Sequence, residues 1–266
     1  MVFPIPVLCL FLTSMLISSI GFKHYILFFS IGYVFSIAGE GLLLLLLYSK
    51  GISLGAALCC LLMIAYGLRL GGYLAFREFK VGSYKANMKG EIKESKSVPF
   101  GVKIAIWVAC AALYTLQATP VLYRLLSGNA DNVFVYIGAA VMLLGLIMES
   151  AADMQKNRAK KRNPRRFVDT GLYRLVRCPN YLGEMLFWTG AVISGIGAVS
   201  SWQWTLVLLG YACIAYVMFS GARRLEIRQS KNYGNDPEYQ QYVKQVPIMI
   251  PFVPLYSVEK YKWLVA

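Results

Sequence analysis

Residues 171–199, GLYRLVRCPNYLGEMLFWTGAVISGIGAV, place a charged and amide-rich stretch directly before an apolar one. The first half contains Arg174, Arg177, Asn180 and Glu184, and the second half, which follows Glu184, has no charged residue. An uninterrupted apolar run of this kind is typical of the start of a membrane-spanning helix. Any account of the fold therefore has to include a reason for so many charged and amide side chains at the edge of a bilayer.

The rest of the chain is equally apolar. Of its 266 residues, 58% are hydrophobic and only 15% are charged, whereas about a quarter of the residues in soluble domains are charged. Backbone polar groups in lipid must be satisfied within the segment, so apolar runs of about twenty residues are expected to be helices. The sequence thus predicts an all-α, polytopic membrane protein, a seven-transmembrane-helix bundle formed as a single domain over 1–266. The predicted spans are 3–20, 25–48, 52–75, 101–126, 133–152, 181–200 and 203–221.

Two features of the whole chain argue against a cleaved signal peptide and against a metal site or disulfide framework. No basic stretch precedes the first apolar segment, which favours a retained first helix over a cleaved signal peptide. The six cysteines fall mostly within the spans, with neither the spacing of metal ligands nor a disulfide framework. We therefore expect no metal site.

The net charge of +14 is concentrated in alternate loops. Basic residues are dense in 77–96, in 153–177 and after 221, whereas the loops between them carry almost none. The positive-inside rule then predicts that the N-terminus lies outside and that the basic loops and the C-terminus lie in the cytosol. The expected membrane is the bacterial inner membrane or the endoplasmic reticulum. For the 77–96 cations, topology together with contact with anionic lipid head groups is as good an explanation as a functional role. In 153–177 the cations alternate with carboxylates and amides, which a topology signal does not need.

An acid lies deep inside the second predicted span. Glu40 is flanked by Gly39 and Gly41, small residues that let another helix or a ligand approach the carboxyl closely. Ionisable groups within spans are costly and are functional candidates. A buried carboxyl favours its neutral form, which donates a hydrogen bond. The alternative is an acid paired with another helix for packing.

The third predicted span supplies a possible partner for this acid. Tyr66 and Arg69 are three residues apart, a spacing that places both on one helical face. Tyrosines are common in such helices, so the spacing makes a pairing of Tyr66 with Glu40 plausible without establishing it.

Two pairs of polar residues flank the basic stretch 153–177. Glu149 and Asp153 close the fifth predicted span, and Asn180 and Glu184 open the sixth, each pair at a spacing of four residues. Two like charges on one helical face are unfavourable unless cations or ligand hydroxyls lie opposite. The simplest account is a polar pocket rimmed by 149–184, although Asn180 is also a good helix N-cap.

Common nucleotide-binding and catalytic signatures are absent from the sequence. There is neither a G-x-G-x-x-G motif nor a P-loop. His24 is the only histidine, which argues against a histidine metal site and against a Ser-His-Asp triad. We expect membrane lipids and a lipophilic small molecule as partners, and no nucleic acid.

Three stretches together resemble the membrane steroid 5α-reductase family. GLYRLVRCPNYLGE is similar to its signature Gly-Leu-x-x-x-x-Arg-His-Pro-Asn-Tyr-x-Gly-Glu, with Cys178 in place of the histidine. Related sterol reductases and isoprenylcysteine carboxyl methyltransferases carry similar forms. The matching positions are Gly171, Leu172, Arg177, Pro179, Asn180, Tyr181, Gly183 and Glu184, with Glu149, Asp153, Gln155 and Lys156 upstream and Tyr239, Tyr242, Ile250 and Pro251 downstream.

The resemblance implies a cofactor and a reaction. In that family a seven-helix bundle holds NADPH on its cytosolic side and transfers hydride to the β-carbon of an enone, as from a 3-oxo-Δ4-steroid to its 5α-dihydro product. It implies substrate-side helices in 1–126 and a cofactor-binding part in 133–252. The implied cofactor contacts are Glu149, Asp153, Lys160 or Lys161, Arg166, Arg177, Asn180, Glu184, Arg223 or Arg224, and Tyr233.

The same resemblance implies the catalytic pair. The family's glutamate and tyrosine fall on Glu40 and Tyr66, and Arg69 matches an arginine near the substrate. Gly39 stands where the vertebrate steroid enzymes have glutamine. The residues agree on the essential point: an enone needs an acid at its carbonyl oxygen, and preorganised donors in a dry site stabilise the developing enolate.

Two other functions remain open. A methyltransferase of the same superfamily would use S-adenosylmethionine, a cationic donor without phosphate that gains little from the nine cations between 156 and 177. NADPH carries a pyrophosphate and a 2′-phosphate, and these negative groups would be stabilised by the same nine cations. A non-catalytic lipid-binding scaffold would leave Glu40 and the polar rim of 149–184 without a role.

Overall fold

A computed structural model of the chain describes residues 5–80 and 98–265, with side chains omitted for 76–80. Within these ranges every regular element is helical. The basic segment 77–96, predicted as a cytosolic loop, lies outside the described side chains.

The described part of the chain contains eight α-helices and three short helical turns. A 3₁₀ turn follows α1 at Ser19–Phe22, a π-helical turn at Phe28–Gly32 leads into α2, and a 3₁₀ turn at Gly171–Arg174 precedes α6. The α-helices are α1 Ile5–Ser18, α2 Tyr33–Leu47, α3 Leu54–Lys80, α4 Phe100–Ser127, α5 Val133–Arg162, α6 Pro179–Ser194, α7 Gln203–Tyr233 and α8 Pro237–Gln245.

Six described helical segments are long and apolar enough to cross a membrane. They confirm the prediction of a polytopic, all-helical membrane protein. The segments are Ile5–Phe22, Phe28–Leu47, Leu54–Ala75, Phe100–Ser127, Val133–Arg162 and Gln203–Tyr233.

The sixth predicted span, 181–200, forms the shorter helix α6, which has 16 residues and is not among these six segments. The helix ends because Arg124 binds the carbonyls that would have continued it: its Nε donates to the Ser194 carbonyl at 2.5 Å and its Nη2 to the Ile196 carbonyl at 3.0 Å. Gly197 then adopts φ +79°, a left-handed backbone that leaves the helix. A count of seven spans remains a prediction.

Two helices continue well past their apolar segments. Helix α5 runs to Arg162 and α7 to Tyr233, whereas the apolar runs end near 152 and 221. The added residues are mostly Lys, Arg, Gln, Ala and Glu, which form helix readily in water. The interpretation of 153–177 as a loop throughout was therefore wrong, and the first of its cations lie on the surface of α5.

The described chain divides into two units, 1–139 with 191–211 and 140–190 with 212–266. In the first unit, α2 and α3 approach closely at two glycines. A β-carbon on Gly41 would lie 2.9 Å from the Cys60 carbonyl oxygen, and one on Gly67 would lie 2.8 Å from the Ala38 nitrogen. Small residues of this kind let helix backbones pack tightly in membranes.

Candidate functional site

The first candidate site surrounds Glu40, whose side chain is completely buried in the first unit. The flanking glycines open space for both neighbouring helices. A β-carbon on Gly39 would overlap the Ile17 side chain of α1, and one on Gly41 would lie 3.0 Å from the Met63 β-carbon of α3. The small neighbours thus permit the close helix approach expected from the sequence.

Two hydroxyl groups bind the same oxygen of the Glu40 carboxyl. Ser14 Oγ donates to Oε1 at 2.6 Å, and Thr115 Oγ1 lies 3.2 Å from the same atom. The other oxygen, Oε2, is buried and has no hydrogen-bond partner among the described residues. Ser14 and Thr115 were not predicted, because a single serine or threonine within an apolar span carries no distinguishing signal.

Tyr66 is also buried in the first unit, where its hydroxyl lies 3.2 Å from that of Tyr33. Tyr33 precedes Glu40 by seven residues on α2, about two helical turns, so both lie on one face of that helix. The described hydrogen bonds of Glu40 come from Ser14 and Thr115 rather than from Tyr66. Arg69 is half-buried on α3.

The second candidate site is a cavity of about 180 Å³ in the second unit. Three residues implied as cofactor contacts line it: Lys160, Asn180 and Tyr233. A second cavity of about 380 Å³ shares Asn232 and Tyr233 with the first. The other residues lining the first are Lys156, Phe167, Val168, Tyr173, Leu225, Arg228, Gln229 and Asn232, and those lining the second include Arg165, Lys231, Asn235 and Asp236.

Lys160 is held at the cavity wall by three hydrogen bonds. Its ammonium donates to Tyr233 Oη at 2.8 Å, to the Arg166 carbonyl at 2.6 Å and to the Pro164 carbonyl at 3.2 Å. The Tyr233 ring packs against Phe167, with centroids 6.1 Å apart. The cation at this wall is therefore positioned before any ligand arrives.

Lys156 and Lys160 lie four residues apart on α5, as do Arg228 and Asn232 on α7. Lys156, Arg228 and Asn232 were not predicted as cofactor contacts. The i, i+4 spacing was the signal that could have identified them, but it is informative only if α5 and α7 are known to extend beyond their apolar segments.

The residue pattern of the opening stretch has structural causes at several positions. Gly171 has φ +63°, and a β-carbon there would collide with Gln155. Gln155 Oε1 in turn accepts from the Leu172 N–H at 2.8 Å. Further along, the Arg177 and Cys178 N–H groups donate to the carbonyls of the C-terminal tail at Pro247 and Ile248, each at 2.9 Å.

Several predicted cofactor contacts bind the protein itself. Arg177 is buried and pairs with Glu226 at 2.8 Å. Arg223 donates to the Glu259 and Leu264 carbonyls, each at 3.0 Å. Arg166 bonds two carboxylates, and Lys161 and Arg224 are exposed away from the cavity lining. The structure thus brings together a smaller group of residues than the resemblance implied.

The acidic residues of the predicted rim are buried where α5 meets α6. A β-carbon on Gly183 would lie 2.8 Å from the Gly145 carbonyl oxygen and 2.7 Å from the Glu149 nitrogen. Asp153 and Glu184 are buried as well. The backbones of α5 and α6 therefore approach closely between the 149–153 and 180–184 pairs, and a polar pocket rimmed by all four side chains remains a prediction.

Cys178 replaces the histidine of the related signature. It is almost fully buried, and this burial raises the pKa of its thiol to about 12. It is therefore a neutral, apolar side chain, and it contributes no charge to the cavity.

Comparison with known proteins places these features in a family. The model of a family described as "Protein of unknown function (DUF1295)" matches residues 26–246, and the chain belongs to this family. The chain is also 29% identical over 120 residues to the steroid 5-alpha-reductase DET2 of Arabidopsis thaliana. The aligned part is 44% of this chain and 41% of that protein, so the chain spans about two-fifths of the relative it matches. No solved structure matches the chain. The two sequence matches support the resemblance to the membrane steroid 5α-reductase family that the sequence motifs indicate.

Proposed function

We propose that the protein is an NADPH-dependent membrane reductase that transfers a hydride to the C=C bond of an enone in a lipophilic substrate. The observation that carries the proposal is the cavity of the second unit, which combines the cations Lys156, Lys160 and Arg228 with the amides Asn180 and Asn232. Cations suit phosphate groups, and amides suit ribose hydroxyls and a carboxamide. A steroid 5-alpha-reductase among the relatives supports the same class of reaction.

The lining residues fit such a cofactor in charge and chemistry. Together the two cavities are lined by one acidic residue, Asp236, and by five cations: Lys156, Lys160, Arg165, Arg228 and Lys231. The first cavity, about 180 Å³, is smaller than typical ligand pockets of ~300–1,000 Å³. It therefore accounts for one part of a dinucleotide, and the adjacent cavity is available for another.

When bound, NADPH supplies the hydride that adds to the β-carbon of the enone, and a proton completes the product at the α-carbon. The chain's own residues bind and orient the reactants. Lys156, Lys160 and Arg228 would hold the phosphate charge, and Asn180 would form a hydrogen bond with a polar edge of the cofactor. Glu40 and Tyr66 are the proposed donors to the carbonyl oxygen, where they stabilise the enolate charge.

Several finer assignments belong to the same proposal. We assign α6 as a membrane span as well, which makes seven spans in a single integral membrane domain, with the N-terminus outside and the cations of α5 and α7 in the cytosol. Arg177 and Arg223 are assigned to holding the C-terminal tail. A 3-oxo-Δ4-steroid represents the substrate class, entering from the bilayer.

The test uses detergent-purified protein and three ligands: NADPH, NADH and S-adenosylmethionine. A ligand present at 100 times its Kd raises the unfolding free energy by about 2.7 kcal/mol, so thermal unfolding distinguishes them. We expect NADPH to stabilise the protein, and incubation with NADPH and a 3-oxo-Δ4-steroid to yield a product heavier by two hydrogens. Stabilisation by S-adenosylmethionine alone would identify a methyltransferase instead.

A pair of matched variants assigns the binding to the cavity. Lys160→Gln removes a cation at the cavity wall, whereas Lys161→Gln removes its exposed neighbour outside the lining. NADPH affinity should fall in the first variant only. Equal losses would place the cofactor elsewhere on the basic surface.

A further inference from the structure

The Glu40 carboxyl has two chemically different sides. Oε1 lies within hydrogen-bonding distance of two hydroxyl groups, from Ser14 on α1 and Thr115 on α4. Oε2 is equally buried and has no partner among the described residues. The adjacent Tyr114 hydroxyl is already committed, since it donates to the Phe28 carbonyl at 2.5 Å.

This asymmetry determines where a proton is held. In a neutral carboxylic acid, the carbonyl oxygen accepts hydrogen bonds and the hydroxyl oxygen carries the proton. An oxygen that accepts from neighbouring hydroxyls is the carbonyl oxygen, so the proton belongs on the opposite atom. A buried polar atom without a partner costs free energy, a cost that a ligand acceptor at Oε2 would remove.

We propose that Ser14 is a positioning residue that fixes Glu40 as a one-sided acid, with Oε1 as the carbonyl oxygen and Oε2–H as the single donor offered to a ligand. The class of ligand atom is a hydrogen-bond acceptor such as the carbonyl oxygen of an enone. That last assignment rests on the proposed function, whereas the orientation of the acid does not.

Ser14 has a stronger hold on Glu40 than Thr115 has. The Ser14 hydroxyl is 2.6 Å from Oε1, and this is its one described acceptor. Thr115 is 3.2 Å away and has a second acceptor in its own helix, the Ala111 carbonyl at 3.0 Å. Since a hydroxyl group donates only one hydrogen bond at a time, the Thr115 hydroxyl alternates between Glu40 Oε1 and the Ala111 carbonyl. We therefore expect a clear order, with Ser14 above Thr115.

Infrared difference spectroscopy tests the orientation without any substrate. The band of the neutral Glu40 carbonyl is identified as the one that is present in wild-type protein and lost in Glu40→Gln. In Ser14→Ala this band should move to higher wavenumber, because its carbonyl loses a hydrogen bond. Thr115→Val should produce a smaller shift in the same direction. An unmoved band in Ser14→Ala, or no neutral carboxyl band in wild-type protein, would overturn the proposal.

Ser18→Ala is the matched control. Ser18 is fully buried on the same helix, one turn from Ser14, and its hydroxyl donates to the Ser14 carbonyl at 2.5 Å rather than to Glu40. Its loss should leave the band in place. If Ser14→Ala does not fold, Thr115→Val still decides the matter, since an unmoved band there would also contradict two-donor binding at Oε1.

Kinetics then separate this inference from the proposed function. With NADPH and a 3-oxo-Δ4-steroid, Ser14→Ala should lower kcat by about tenfold, the equivalent of one hydrogen bond, with the NADPH Kd unchanged. A shifted infrared band in a protein that reduces no enone would leave the one-sided acid intact and remove the reductase. An active enzyme whose band does not move would do the reverse.

Discussion

The guanidinium of Arg177 donates to Glu226 at 2.8 Å, and both side chains are almost completely buried. Arg177 also donates to the Tyr256 carbonyl, and the second Glu226 oxygen accepts from the Val258 N–H at 2.8 Å. One ion pair therefore connects the opening stretch, α7 and the C-terminal tail. Arg177, which the resemblance implied as a cofactor contact, thus binds other parts of the polypeptide.

Removing one member of this pair should destabilise the protein strongly. Arg177→Met leaves Glu226 buried and unpaired, which typically costs about 3–5 kcal/mol. The double variant Arg177→Met/Glu226→Met should lose less than the sum of the single variants, because no lone charge remains. Thermal unfolding in detergent measures both, with the exposed Arg174→Met as control. Additive losses would show that the two side chains do not act as a pair.

Asp131, in the loop between α4 and α5, should make stability depend on acid pH. Desolvation raises its pKa, but hydrogen bonds from Ser53 Oγ at 2.6 Å, the Gly55 N–H at 2.7 Å and Tyr136 Oη at 2.9 Å outweigh it and hold the pKa below its ordinary value. A depressed folded-state pKa stabilises the fold above the unfolded value, about 3.9, and the contribution is lost as pH falls through the folded value.

Asp131→Asn is therefore expected to melt lower than wild-type protein at neutral pH. The difference in melting temperature should shrink as the pH is lowered below about 4, where the wild-type carboxylate is protonated as well. Asn129→Ala, in the same loop, is the control for general loosening. A difference that stays constant with pH would exclude the carboxylate charge as the cause.

The membrane-spanning helices could be predicted from the sequence, but the residues at which they end could not. Apolar runs located each span because hydrocarbon permits little else than helix. An apolar run marks only the part of a helix that lies within the hydrocarbon, whereas α5 and α7 continue for ten or more residues beyond it, to Arg162 and Tyr233. Helix α6 ends early at Ser194 because of a contact with Arg124 that is distant in sequence.

The same limit applies to the candidate sites. Lys160, Asn180 and Tyr233 were identified through a resemblance, and they do line one cavity. Arg228 and Asn232 were missed because their position depends on the helical extension of α7. Ser14 was missed because its contact with Glu40 joins residues 26 positions apart, and nothing in the local sequence distinguishes it from other buried serines.

Glu40→Gln is expected to cut turnover while leaving NADPH affinity intact, because Glu40 does not line the basic cavity. Tyr66→Phe should act in the same direction. If both donate to one carbonyl oxygen, their effects are non-additive, since removing either disrupts a shared site. Turnover of the two single variants and the double variant measures this. A double variant whose loss equals the sum of the single losses in free energy would rule out a shared oxyanion site.

NADPH should bind more tightly than NADH. Five cations line the two cavities around Asn232 and Tyr233, more than a pyrophosphate alone needs, and a 2′-phosphate adds charge for them to bind. The preference should weaken as salt is raised, because exposed charges are screened over about 10 Å at 0.1 M. Titrations with both cofactors at two salt concentrations measure it. Equal affinities at physiological salt would contradict the preference.

Asn180→Ala should leave the protein folded and impair its binding of NADPH. Helix α6 begins at Pro179, so Asn180 is its second residue rather than the residue before it, and its side chain lines the cavity. Alanine is at least as good a helix former at this position. Loss of a ligand hydrogen bond should weaken binding by about tenfold or more, whereas loss of a helix cap would cost ~1 kcal/mol of stability with affinity unchanged.

Asn157→Ala is the matched control for this variant, because Asn157 is exposed on α5 and outside the cavity lining. It should retain both wild-type affinity and wild-type melting temperature. Titration and thermal unfolding of the three proteins decide between the two roles of Asn180. A lowered melting temperature with wild-type NADPH affinity in Asn180→Ala would assign the residue to the helix end, and the cofactor site would then need a different amide.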